Sequence, residues 1–259
     1  MKQKLYQVDA FANRLFEGNP AAVCPLTEWL PDSTLQQIAM ENNLSETAYF
    51  VKEEDGYRLR WFTPVAEVDL CGHATLAAAH VLFEHLRYEK PELAFNSNSG
   101  QLTVRKESGM LTMNFPASRG QAVAPPDNLL EALGTNCDKV FKATDYMVVL
   151  DDEEQVKNLD PNFLLLNRID TRGIIVTAPG SEYDFVSRFF APAVGINEDP
   201  VTGSAHTMLA PYWLERLGKK ELIARQMSKR GGTVHCHVLG ERVEIVGKAV
   251  TYLEGMIEI

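Results

Sequence analysis

Two pentapeptides share glycine at the second place and alanine at the fourth, and the stretches they open keep one spacing over a long run. Cys71-Gly72-His73-Ala74-Thr75 and Thr202-Gly203-Ser204-Ala205-His206 are offset by 131 positions. At that same offset Ala79 matches Ala210, Glu84 matches Glu215, Leu86 matches Leu217, Ser97 matches Ser228 and Gly100 matches Gly231, with no gap. Self-similarity of this kind means two copies of one structural unit. It predicts an N-terminal lobe over residues 1–117 and a C-terminal lobe over 118–259, with the final strand free to pack back on the first lobe. In each copy the glycine opens a helix, over 74–86 and 205–217, and both helices are too apolar all round to be surface helices. Helix starts leave backbone N–H groups unpaired and carry the positive end of the helix dipole, so they bind anions. Two of them related by an approximate twofold, with Gly72 and Gly203 facing one cleft, are expected to hold a carboxylate.

Around each helix the pattern reads as strands. Leu5–Phe11 alternates, Gly18-Asn19-Pro20 turns, and Ser33 is placed to cap a helix that ends near Asn42-Asn43. Thr47–Val51 and Tyr57–Phe62 form a hairpin through Asp55-Gly56. The fold class that follows is α+β: two pseudo-symmetric lobes, each a curved, mostly antiparallel sheet around a buried central helix. The stretch 117–127, rich in proline and glycine, is the only one that resembles a linker.

The chain has 259 residues and a net charge of −10, which argues against nucleic acid or an anionic membrane as partner. Cys24, Cys71, Cys137 and Cys236 show no metal-binding spacing, so free thiols are expected and no metal. The N-terminal residues carry no signal-like apolar run, and nothing reads as a membrane span, so a cytoplasmic protein is expected.

Four phrases carry the candidate chemistry: Gly18-Asn19-Pro20-Ala21-Ala22-Val23; Asn43-Leu44-Ser45-Glu46-Thr47-Ala48-Tyr49-Phe50; Arg60-Trp61-Phe62-Thr63-Pro64 running on to Cys71-Gly72-His73-Ala74-Thr75; and Asp199-Pro200-Val201-Thr202-Gly203-Ser204-Ala205-His206. In this order and spacing they resemble the phenazine-biosynthesis PhzF-like family, whose fold is shared with diaminopimelate epimerase. The resemblance covers essentially the whole chain. It implies a two-lobed homodimer with a cofactor-free site that moves a proton on a small, anionic, carboxylated substrate. It also implies catalytic roles for Glu46, His73, Asp199 and Ser204, with Glu46 as the proton shuttle. Asn19, Cys71, Gly72, Thr202 and Gly203 are candidate substrate contacts.

Each position also has a structural reading. Glu46 at a helix–strand junction reads as a solvated carboxylate, His73 as a capping or core histidine, and Asp199 as a helix-entry acceptor. The glycines read as packing requirements, and Asn19 as a turn residue. Burial of Glu46 would raise its pKa and suit it to taking and returning a proton. The comparable junction in the second half carries Arg172-Gly173 and no acid. One departure from the epimerases of this fold stands out. Cys71 occupies the first of their two thiol positions, but Thr202 occupies the second, and a threonine hydroxyl is too weakly acidic to replace a thiolate.

Isomerisation by Glu46 is therefore favoured, with a Cys71-based epimerase as runner-up. A Ser204–His73–Asp199 hydrolase is disfavoured by the lack of a nucleophile elbow. A binding protein that has lost its reaction is the remaining alternative.

Overall fold

The computed structural model describes all of residues 1–259. Contacts divide them into two compact units, Met1–Asn114 with Val246–Ile259, and Phe115–Ile245.

The first unit opens with β1 (Lys2–Ala10) and β2 (Asn19–Leu26), which pair antiparallel. Helix α1 (Asp32–Asn42) follows, then the hairpin β3 (Glu46–Glu53) and β4 (Gly56–Phe62), with Glu53 opposite Gly56. Pro31 rather than Ser33 stands at the start of α1, and no side chain caps it. Proline needs no capping partner for its own nitrogen there, because it has no N–H. At the other end Asn43 takes the left-handed conformation and closes the helix. The short β5 (Glu67–Val68) pairs with β4, and α2 (Gly72–His80) then runs into one π-type turn, Val81–His85. Strands β6 (Glu92–Ser97), β7 (Gly100–Glu107) and β8 (Met110–Pro116) continue the sheet. Two neighbour pairs, β2–β3 and β4–β6, are parallel, and the rest are antiparallel. Every residue of α2 from His73 to Ala79 is buried, as its apolar sequence requires.

The second unit repeats this plan. It begins with β9 (Gln121–Ala122), α3 (Leu129–Leu133), β10 (Val140–Lys142), β11 (Tyr146–Val149), α4 (Glu153–Lys157) and α5 (Phe163–Leu166). The antiparallel pair β12 (Ile174–Pro179) and β13 (Phe185–Phe190) precedes the long helix α6 (Gly203–Leu217). After the helix, β14 (Glu221–Gln226) lies parallel to β13 and antiparallel to β15 (Gly232–Leu239), and β16 (Arg242–Gly247) follows. The hairpin, central helix and parallel return seen in β3–β4–α2–β6 thus recur in β12–β13–α6–β14. The 117–127 stretch is bound into this unit: Ala117 donates to the Glu241 carbonyl, Ser118 to Thr207 and Val123 to Val140.

Each unit has its own apolar interior. In the first, Leu5, Cys24, Leu35, Ile38, Tyr49 and Phe62 pack together. In the second, Leu129, Val148, Val156, Ile174, Val186 and Phe190 do so. The last strand, β17 (Ala249–Glu258), pairs antiparallel with β1 and so belongs to the first unit.

Candidate active site

Three elements of the first unit bring four of the expected residues together. Asn19 begins β2, Glu46 begins β3, and Cys71 and His73 flank the start of α2. The register sets Ala21 opposite Glu46 in the parallel β2–β3 pair, so both strand starts lie at the same end of the sheet. His73 is 6% exposed, a core position rather than a solvated one. Its Nε2 stands 3.1 Å from Glu46 Oε2. Its Nδ1 lies 3.2 Å from the Asn19 amide nitrogen and 3.5 Å from Cys71 Sγ. One imidazole therefore bridges a carboxylate on one ring nitrogen and a thiol on the other.

Charge and burial oppose each other here. Burial alone would push the His73 pKa down, yet the neighbouring Cys71 and Glu46 outweigh it and hold the imidazole well above its usual value. The Cys71 thiol is pushed up, first by burial and then by the Glu46 carboxylate. A histidine whose pKa is raised beside a carboxylate keeps its charge near neutrality and can donate from either ring nitrogen.

Gly72 is the first helical residue, and a Cβ built there would meet nothing within 4 Å. Packing within the fold does not require glycine at this position. What the missing side chain leaves open is the approach to the helix start, where the free amides lie.

The second unit assembles the other expected residues around the start of α6. Thr202 Oγ donates a very short hydrogen bond to Asp199 Oδ2, and the Thr202 amide donates to Gln226 Oε1 at 2.8 Å. Gln226 in turn donates to the Asp199 carbonyl at 2.8 Å. The hydroxyl that replaces the second thiol is thus committed to a buried polar network. His206 uses Nδ1 on the Thr202 carbonyl at 2.9 Å, and burial lowers its pKa to about 4, so it is a neutral core histidine.

Ser204 has a partner that sequence reasoning passed over. Arg172 donates to Ser204 Oγ at 3.2 Å while its Nε and Nη2 grip the carboxylate of Asp145, which is 3% exposed. In the sequence the Arg172-Gly173 junction is marked only by the lack of an acid there. Asp145 and Gln226 had no sequence signal, because each lies far along the chain from the motif it supports.

Comparisons with known proteins bear on the chain's family and fold. A family model described as "Phenazine biosynthesis-like protein" matches residues 8–255. An "uncharacterized isomerase" of Pseudomonas aeruginosa is 56% identical over 259 residues, with both chains covered in full. A crystal structure of a PhzF-family phenazine biosynthesis protein from Enterococcus faecalis superposes with a TM-score of 0.98 at 47% identity, over 100% of each chain. A hydroxyproline epimerase from Agrobacterium vitis shares the fold alone, with a TM-score of 0.64 at 10% identity over 99% of this chain and 92% of its own. The α+β class read from the repeat and the strand patterns, and the diaminopimelate epimerase-like fold that the motif resemblance implies, are those observed. By sequence and fold together, the chain belongs to the phenazine biosynthesis-like PhzF family.

Proposed function

We propose that this protein is a cofactor-independent isomerase that moves a proton within a small carboxylated metabolite, with Glu46 as the shuttle. The observation that carries the reading is the Glu46–His73 pair, a carboxylate 3.1 Å from a buried imidazole at the start of a central helix. The isomerase names of its full-length relatives support it.

In this reading the Glu46 carboxylate takes a proton from a carbon next to a carbonyl or double bond. The electron pair of the broken C–H bond moves into the adjacent π system. Negative charge then grows on a substrate oxygen, where helix-start amides and a charged imidazole stabilise it. Glu46 returns the same proton to a different carbon, so nothing is consumed and no second reactant is needed. His73 supplies charge and orientation, and Asn19 lies beside its Nδ1 at 3.2 Å. Cys71 and the Gly72 amide contact the substrate. The family pattern assigns Asp199 and Ser204 to substrate orientation, with Thr202 and Gly203 beside them, and implies a homodimer.

A second reading keeps Cys71 as a base in an epimerase, favoured by the 3.5 Å contact of its sulfur with His73 Nδ1. The upward push on the thiol and the engagement of Thr202 with Asp199 weigh against a two-thiol mechanism. One experiment separates them. A substrate found by thermal-shift screening of carboxylated metabolites is turned over in heavy water by wild type, Glu46→Gln and Cys71→Ser. The shuttle reading requires Glu46→Gln to lose about 10²–10⁴-fold in kcat while Cys71→Ser stays within about tenfold. A fully active Glu46→Gln beside a dead Cys71→Ser would replace it with the epimerase.

A further inference from the structure

Three donors of different chemical kinds converge at the first unit's site. One atom each of Glu46, Cys71 and His73 lies within 4.8 Å of the other two. Two of these groups are short of hydrogen bonds. Glu46 Oε2 and His73 Nε2 are both fully buried and have no partner beyond their own 3.1 Å ion pair, so the carboxylate oxygen gives up a single contact when it turns to an ion. Buried polar atoms in native proteins are otherwise nearly always satisfied. The contrast within the same unit is clear: His80 and His85 both place Nε2 within hydrogen-bond distance of Thr251 Oγ, at 2.9 and 2.7 Å.

A thiol, an imidazole and a carboxylate are the donor types of zinc-class cations. Calcium and magnesium take oxygen ligands instead. The spacing fits as well. Zinc bonds of about 2.3 Å to sulfur and about 2.05 Å to nitrogen, at a tetrahedral angle, hold the two atoms roughly 3.6 Å apart. Cys71 Sγ and His73 Nδ1 are 3.5 Å apart.

We propose that Glu46, Cys71 and His73 form a binding site for a zinc-class divalent cation, and that occupancy switches the proton-transfer site off. The ion takes Cys71 Sγ and His73 Nδ1 as its first two ligands, and the Asn19 amide turns aside from that nitrogen. Glu46 closes on the ion as third ligand, which leaves a fourth position for water or an anionic ligand. Binding releases the Cys71 thiol proton, and the Nδ1 proton where the ring is charged. No electron transfer is involved. The cation site itself is independent of the reaction. Only the switching-off rests on the proton-shuttle reading, because a carboxylate bound to a cation cannot take a proton from carbon.

Titration with Co²⁺ tests the site without a substrate, since a thiolate bound to Co²⁺ gives charge-transfer absorption in the near ultraviolet. Wild type should develop this band at one equivalent and lose it when Zn²⁺ is added. Cys71→Ser should abolish it, and His73→Gln and Glu46→Gln should weaken Co²⁺ binding at least tenfold. Cys137→Ser, at the partly exposed free thiol elsewhere in the chain, should keep the band. Circular dichroism checks folding, and if Cys71→Ser is unfolded the His73→Gln titration decides. No band in wild type, a band undiminished in His73→Gln, or a band lost only in Cys137→Ser would overturn the proposal. A fully active Glu46→Gln enzyme would sink the shuttle reading and leave the cation site standing.

Discussion

His73 reaches Glu46 with one ring nitrogen and Cys71 with the other, so the state of one imidazole is tied to both an acid and a thiol. Glu46 opens a strand and His73 lies in the first turn of a helix, 27 positions later in the chain. Their contact is created by the parallel pairing of β2 with β3 and by the packing of α2 on those strands.

That contact predicts a pH dependence of stability. The His73 pKa is raised in the folded state, so its contribution is fully present below the unfolded value of about 6.5 and is lost as pH rises through the folded value. His80 and His206 act in the opposite sense. Burial lowers each to about 4, so their folded-state advantage is full above about 6.5 and falls as pH drops toward 4. Stability should therefore peak near neutrality, with each histidine contributing a slope of about 1.4 kcal/mol per pH unit within its own window. Urea unfolding from pH 5 to 9 measures it. Glu46→Gln should flatten the alkaline limb and leave the acid limb unchanged; an unaltered alkaline limb would mean the pair does not set the His73 pKa.

The glycines divide into two kinds. Gly18 has φ +71°, and a Cβ there would fall 2.2 Å from the Ala10 carbonyl oxygen. Gly18→Ala should destabilise by at least about 1–3 kcal/mol, the cost of a strained backbone position. Gly72→Ala meets no atom and should leave the melting temperature within about 2 °C of wild type. Ligand binding at the helix start should nonetheless weaken at least tenfold. A large loss of stability in Gly72→Ala would return that glycine to a packing role.

The Arg172–Asp145 pair predicts an asymmetry between its two partners. Arg172→Met leaves the Asp145 carboxylate buried without its counter-ion, whereas the double variant Arg172→Met/Asp145→Leu removes both charges. Breaking a buried pair costs about 3–5 kcal/mol, and the partial exposure of Arg172 reduces this to roughly 2–3. Urea midpoints should show the single variant well below wild type and the double variant closer to it. Equal midpoints for wild type and Arg172→Met would mean that the pair contributes no stability.

Thr202 offers a sharper test of the polar network. Thr202→Val keeps the shape but removes the hydroxyl that donates to Asp199, leaving that carboxylate one hydrogen bond short. A loss of about 1–3 kcal/mol is expected by denaturant unfolding. Thr202→Ser keeps the donor and should recover most of it. If valine is tolerated as well as serine, the hydroxyl is not part of a stabilising network.

Much of this protein was legible in the order of its residues. The 131-residue repeat, the two apolar helices opening at Gly72 and Gly203 and the strand patterns around them rest on local periodicity. Local periodicity survives in sequence because neighbouring residues share an element. The four motif phrases likewise carried the family. Other features depend on which distant segments pack together, and only the tertiary structure decided them. The pairing of β17 with β1 joins the two ends of the chain. The grip of Asp145 on Arg172, the service of Gln226 to Asp199 and Thr202, and the meeting of Cys71, His73 and Glu46 are of the same kind. No cysteine spacing announced a cation site because its donors come from a strand start and a helix start. Such donors converge only when burial of two apolar faces brings their polar ends together.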